Sequence, residues 1–302
     1  MPKRSNDFQR LVYLVRVNLA EGAKVVESKM MRDRLTKGFR EVDVVIEGSV
    51  GGQPVTVCVE CRDHRRVADV SWIEQMKSKH ERLNTNALLL ASRSGFTPEA
   101  LKVAKAYDID TFTLEEPDPE TMKNRLAAGS SLWLKTVRVS PGKVTATVEA
   151  TAELPEEVVA TSPDNLLYLQ DGTEVAQIQE LVNRLLSTDI ARDRLVPTAT
   201  EDHIGFELEW TPPRPDTGEA LYMKKIEPAV LRAVSKIRVV GPCAVEIGRF
   251  DLRHGRMGSI EVAWGKTKIS GRDAMAVTTL GADGKQILSI NFSGAAEAAS
   301  AA

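Results

Sequence analysis

Apolar residues in the first third of the chain change period several times, and each change marks an element. Over residues 8–20, Phe8, Leu11, Val12, Leu14, Val15 and Leu19 recur close to the helical repeat, and Glu21-Gly22 ends the run. Residues 24–29 read as an edge strand, and a basic loop follows to Gly38. From Arg40 to His64 the period becomes two. Val42, Val44 and Ile46 fall on one side of a strand, and Asp43, Val45 and Glu47 on the other. Beyond a turn marked by Gly48, Gly51, Gly52 and Pro54, Val57, Val59 and Cys61 share one face of a second strand. Cys58, Glu60 and Arg62 share the opposite face. The rest of the chain is organised around this hairpin.

The pattern then returns to the helical repeat. A helix starting near Ser71 carries Ile73, Met76, His80 and Leu83 on its apolar stripe and Trp72, Gln75 and Lys79 on a neighbouring one. Residues 86–91 form a continuous apolar run, as a buried strand does. Thr97-Pro98-Glu99 supplies an N-cap, a proline at the first helical position and an acid in the first turn of a helix running to about Tyr107. A last strand covers residues 110–114. Strand, helix and strand joined by a short crossover imply a parallel pair, so residues 1–116 read as an α/β domain.

Residues 117–131, with Pro117, Pro119 and Gly129, read as a linker containing a short helix. The remainder is β-rich. A hairpin is predicted around Pro141-Gly142, a helix over 174–186, and strands at 205–210, 239–247, 259–262, 274–280 and 286–292. Residues 132–292 therefore read as a separate β-rich α+β domain without a chemical motif. The small residues of 293–302 predict a disordered tail.

Composition narrows the class. Hydrophobic residues make up 42% and charged residues 27% of the 302, as in globular proteins, and no stretch reaches the length of a membrane span. The first residues lack the apolar run of a signal peptide, so a cytoplasmic location is expected. The net charge of −2 argues against a general nucleic-acid coat protein, yet residues 1–40 hold ten basic side chains against four acidic ones. Arg249, Arg253, His254 and Arg256 form a second basic cluster. Cys58 and Cys61 have C-x-x-C spacing, but on a strand that spacing turns them to opposite faces, which predicts buried free cysteines rather than a zinc or redox pair.

The chemistry concentrates in the hairpin. Asp43 and Glu60 sit within apolar strands, where an uncompensated charge is costly. Two carboxylates brought together by strand pairing make a hard-oxygen site suited to Mg²⁺. The run from Arg40 through Asp43 to Ile46, followed by Val59-Glu60-Cys61-Arg62, resembles the PD-(D/E)xK nuclease superfamily, in its type IV restriction (Mrr-like) and Holliday-junction-resolvase-like branch. The resemblance extends through Trp72-Ile73-Glu74-Gln75-Met76, the strand 87–91 and Ser94–Ala100, and covers roughly residues 8–115.

The resemblance implies a restriction-endonuclease-like mixed central sheet flanked by helices, and Mg²⁺- or Mn²⁺-dependent hydrolysis of DNA in restriction of foreign or modified DNA. Asp43, Glu60 and the backbone carbonyl of Cys61 would hold the metal. The family carries lysine where this chain has Arg62, so Lys79 or Lys77 from the following helix is the candidate amine. Arg40, Arg65, Arg66 and Gln75 are the candidate nucleic-acid contacts, and a homodimer would suit cleavage of both strands. The alternative is a nuclease fold that binds DNA as a recognition module without cutting it.

Overall fold

Asn6 starts the first helix: its side-chain oxygen accepts the Gln9 N–H at 2.8 Å, closing an orphan donor of α1 (Asp7–Asn18). A computed structural model describes residues 6–116, 129, 131–199, 205–211, 218–224, 230–280 and 284–293. Apart from Gly129, Ser131 and Ser293, the predicted linker and tail lie outside these described residues.

The chain divides into two compact units, Met1–Leu134 with Gly248–Ala302, and Lys135–Ile247. The first is built on a nine-stranded mixed sheet. Its strands are β1 (Lys24–Arg32), β2 (Phe39–Val50), β3 (Gln53–Arg62), β4 (Ala87–Ser92), β5 (Asp110–Glu115) and, from the end of the chain, β14 (Arg253–Met257), β15 (Ile260–Ile269), β16 (Arg272–Leu280) and β17 (Gln286–Phe292), in that spatial order. The β4–β5 pair is parallel, as its crossover predicts, the β3–β4 pair is parallel too, and the other pairs are antiparallel. Between β3 and β4 lies α2 (Val70–His80), and between β4 and β5 lies α3 (Pro98–Ala106). The Thr97 hydroxyl caps α3 as predicted, accepting the Ala100 N–H at 3.1 Å.

Helices cover both faces of the sheet. Phe8, Leu11, Val12, Leu14 and Val15 of α1 pack against Val44, Val59, Phe112, Leu114, Met257, Val262 and Val277. On the other side Ile73, Leu83, Ala100 and Ala104 pack against Val42, Val45, Cys58, Leu88 and Leu90. The first core therefore spans strands from both ends of the chain. This corrects the predicted boundary, in which residues 132–292 formed one domain. Residues from 248 onward belong with the first unit, because Met257 and Leu114 are paired across β5 and β14 and share one apolar layer.

The alternation of β2 also differs from its pattern. Val42 packs with Val45 rather than with Val44. The β1–β2 ladder runs from Glu27↔Val44 to Lys29↔Val42 without a Ser28–Asp43 pair, and Ser28 has a positive φ of 52°. The Gln9 amide of α1 fills the gap, donating to the Ser28 hydroxyl at 2.9 Å and to the Asp43 carbonyl at 3.3 Å. The break falls on the residue that carries the candidate acid.

The second unit holds β6 (Ser131–Val139) from Lys135 onward, β7 (Lys143–Val148), β8 (Glu157–Ala160), β9 (Leu166–Tyr168), β10 (Glu174–Gln177), β11 (Gly205–Trp210), β12 (Tyr222–Lys224) and β13 (Leu231–Asp251) as far as Ile247, with α4 (Ile178–Leu186) and α5 (Asp189–Thr198). The predicted helix over 174–186 is half right. Residues 174–177 pair with β9 instead, and Gln177 in extended conformation begins the helix. No helix among the described residues is long and apolar enough to cross a membrane.

Candidate active site

Strand pairing brings the two predicted acids together. The β2–β3 ladder ends at Val44↔Val59, and the residues just beyond it, Asp43 and Glu60, lie near enough for the Glu60 charge to act on the Asp43 carboxyl. The Cys61 N–H donates to Asp43 Oδ2 at 2.7 Å, anchoring one carboxylate oxygen to the neighbouring strand. Glu60 is buried and points toward the end of α2. Its Oε1 accepts from Lys79 Nζ at 2.6 Å and lies 2.7 Å from His80 Nε2. Lys79 Nζ also donates to the Glu41 carbonyl at 2.6 Å, tying α2 to β2 as well as to β3.

Each acid therefore has one oxygen held by protein donors and one that is not. Among the described residues, no protein donor reaches Asp43 Oδ1 or Glu60 Oε2. The electrostatics carry the cost of this proximity. Burial first, and then the Glu60 charge, push the Asp43 carboxyl up to about 6, against the lowering effects of the Cys61 N–H and of Lys79. The Cys61 thiol is pushed well above its ordinary range by burial and by Asp43, Glu60 and Glu27, so it stays protonated. Cys58 and Cys61 are both free, as the strand geometry predicts.

Of the two candidate lysines, only Lys79 arrives. Lys77 is turned to another side of α2, with Nζ 3.6 Å from Glu81 Oε1 and 5.7 Å from the centre of the Tyr107 ring. Two residues on a helix are separated by about 200°, so both cannot face β3. Arg62 shares the Glu60 face but stacks over Trp72, its guanidinium carbon 5.5 Å from the ring centre. Trp72 in turn meets Phe96, with ring centres 6.1 Å apart. Arg62 thus lies along the same face of the hairpin without a hydrogen bond to either acid.

The candidate nucleic-acid contacts divide. Arg40 is tied to the buried Asp33, Nε to Oδ2 at 2.5 Å, where it closes the turn between β1 and β2. Arg65 and Arg66 are exposed and form no ion pair among the described residues, and Gln75 is exposed on the helical stripe that also carries Lys79. Three of the four members of the second basic cluster have partners within the first unit. Arg249 pairs with Asp251, Arg253 with Glu116, and His254 Nε2 lies 2.9 Å from the Gly129 carbonyl.

His80 is the site residue that periodicity hid. On an apolar stripe it reads as a core histidine, and only the fold shows that Glu60 meets it. Gln9 and the Cys61 N–H were likewise illegible, since nothing local in the sequence marks a helix or a main-chain donor that acts on a strand elsewhere.

The donor chemistry can be set against a cation. Among the described residues no three His, Cys, Asp or Glu side chains converge as a metal centre, which does not suit a closed structural site. Two carboxylates with unclaimed oxygens, one of them raised by burial and then by the charge of the other, do suit a hard cation that keeps several water ligands.

No protein-family model and no curated protein matches the chain at a significant level. One similar solved structure is the crystal structure of AF1548, a protein of unknown function. It is 17% identical over 36% of this chain and superposes with a TM-score of 0.30. The chain spans 58% of that protein's length.

Proposed function

We propose that the first unit is a restriction-endonuclease-like domain that hydrolyses DNA phosphodiester bonds with Mg²⁺ or Mn²⁺. The observation that carries this reading is the grouping of Asp43, Glu60 and Lys79: two acids with one free oxygen each, and a lysine amine against the second acid. The mixed order of β1 to β5, with α1 on one face and α2 and α3 on the other, supports the same reading.

Asp43, Glu60 and the Cys61 carbonyl would hold the metal ion. Such an ion supplies Lewis-acid polarisation of the scissile phosphate and an activated water. The chain's own groups do the rest. The Cys61 N–H fixes the Asp43 carboxylate, and Lys79, bridging Glu41 and Glu60, keeps a positive charge against the acids, where phosphate charge grows. Arg62 cannot serve as a base, because a guanidinium stays protonated at working pH. Its position beside Trp72 suits a phosphate contact, and Arg65, Arg66 and Gln75 continue that surface. Cutting both strands takes two such sites, which a two-fold dimer would supply.

The test is incubation of the full chain with supercoiled plasmid, with and without Mg²⁺ or Mn²⁺. Metal-dependent nicking that disappears in Asp43→Ala and Glu60→Ala supports the enzyme. The placement of Arg62 away from both acids favours a second reading, a nuclease fold that only binds DNA. Intact plasmid with a salt-dependent gel shift would select it.

A further inference from the structure

We propose that His80 is a positioning residue for Glu60: its imidazole holds Oε1 and thereby leaves Oε2 as the oxygen offered to a divalent cation. The inference rests on the reading of Asp43 and Glu60 as cation ligands and adds a residue that neither the strand motif nor the helical pattern assigns.

The argument starts from an unmet hydrogen bond. The His80 side chain is 3% exposed, and its Nε2 lies 2.7 Å from Glu60 Oε1. An ionised carboxylate can only accept, so the bond requires the proton on Nε2. That leaves Nδ1 buried with no partner. A stranded polar nitrogen in a core destabilises the fold, and an apolar residue such as Ile73, which is buried two turns earlier on the same helix, would strand nothing. The structural use of a histidine here is therefore the single bond from Nε2.

Lys79 does not make that bond redundant. Its ammonium sits on a flexible four-carbon stem and can follow Oε1 wherever the carboxylate rotates. The imidazole is rigid and enclosed by the core, so it sets where Oε1 must be. Two donors on the same oxygen leave Oε2 without a protein donor, and the adjacent Cys61 N–H holds Asp43 by one oxygen and leaves it the other. Groups that orient a metal ligand in this way act on affinity without touching the ion.

The experiment measures Mn²⁺ binding by titration calorimetry on the full-length chain, together with its Tm, for the wild type, His80→Leu and His80→Gln. We expect His80→Leu to weaken Mn²⁺ binding by about 10- to 100-fold with a Tm no lower than that of the wild type. His80→Gln, whose amide can donate to Glu60, should recover most of the affinity. If the leucine variant does not fold, His80→Met provides a flexible side chain without a donor for the same comparison. Wild-type affinity in the folded variant lacking a donor overturns the positioning role while leaving the cation site standing. A wild-type chain that takes up no Mn²⁺ overturns both.

Discussion

Lys79 Nζ lies 2.6 Å from Glu60 Oε1, although 19 residues and a change from strand to helix separate them in the chain. The contact sets an amine against Glu60, which Arg62, stacked over Trp72, does not supply. If that amine supports cleavage, Lys79→Met should reduce metal-dependent plasmid nicking by about 100-fold or more. Lys77→Met, on another side of the same helix, should leave the rate unchanged. Initial nicking rates for the two variants make the comparison, and equal losses would remove Lys79 from the site.

The raised Asp43 value has a consequence for stability. Between its ordinary value of 3.8 and about 6, the folded chain keeps a proton that the unfolded chain releases. The contribution of Asp43 is fully present below 3.8 and is lost as the pH rises through about 6. Asp43→Asn should remove this pH dependence and stabilise the protein at pH 7 by at most roughly 3 kcal/mol. Chemical denaturation from pH 4 to 8 measures it. Added Mn²⁺ should raise the Tm of the wild type at pH 7 and leave that of Asp43→Asn nearly unchanged.

Arg40 and the Arg65-Arg66 pair should separate in the same way. Arg40 is committed to the buried Asp33, which also accepts the N–H groups of Leu35 and Thr36, so Arg40→Ala should lower Tm and barely change DNA affinity. Arg65→Ala and Arg66→Ala should leave Tm alone and weaken DNA binding. The slope of log affinity against log salt should flatten by about 1 for each phosphate that the variant no longer neutralises. Fluorescence anisotropy over a salt series, beside thermal melts, distinguishes the two outcomes.

The C-terminal strands complete the sheet that carries the site. A fragment of residues 1–116 would expose the side of the α1 core made by Met257, Val262, Trp264, Met275 and Val277, and should aggregate or remain unfolded. A single substitution probes the same junction. A Cβ on Gly255 would come within 2.8 Å of the Glu115 carbonyl and 3.0 Å of the Trp264 ring, so Gly255→Ala should force β5 and β14 apart and lower Tm by several degrees. A soluble, cooperatively melting 1–116 fragment would contradict this account.

The local grammar of the first unit was legible in the order of its residues. The period of its apolar positions set α1, the β2–β3 hairpin, α2, β4, α3 and β5, and the Thr97 cap began α3 where residue type alone required it. The same pattern singled out Asp43 and Glu60, because an uncompensated charge within an otherwise apolar strand is costly.

What those acids meet was settled by packing. Lys79 rather than Lys77, His80 rather than a bystander in the core, and the committed Arg40 all follow from how α2 and the β1–β2 turn lie against the sheet. The attachment of β14 to β5 was hidden for the same reason. Periodicity records which side of an element is apolar, whereas the partner that covers it can lie more than a hundred residues away and leaves no mark on the local pattern.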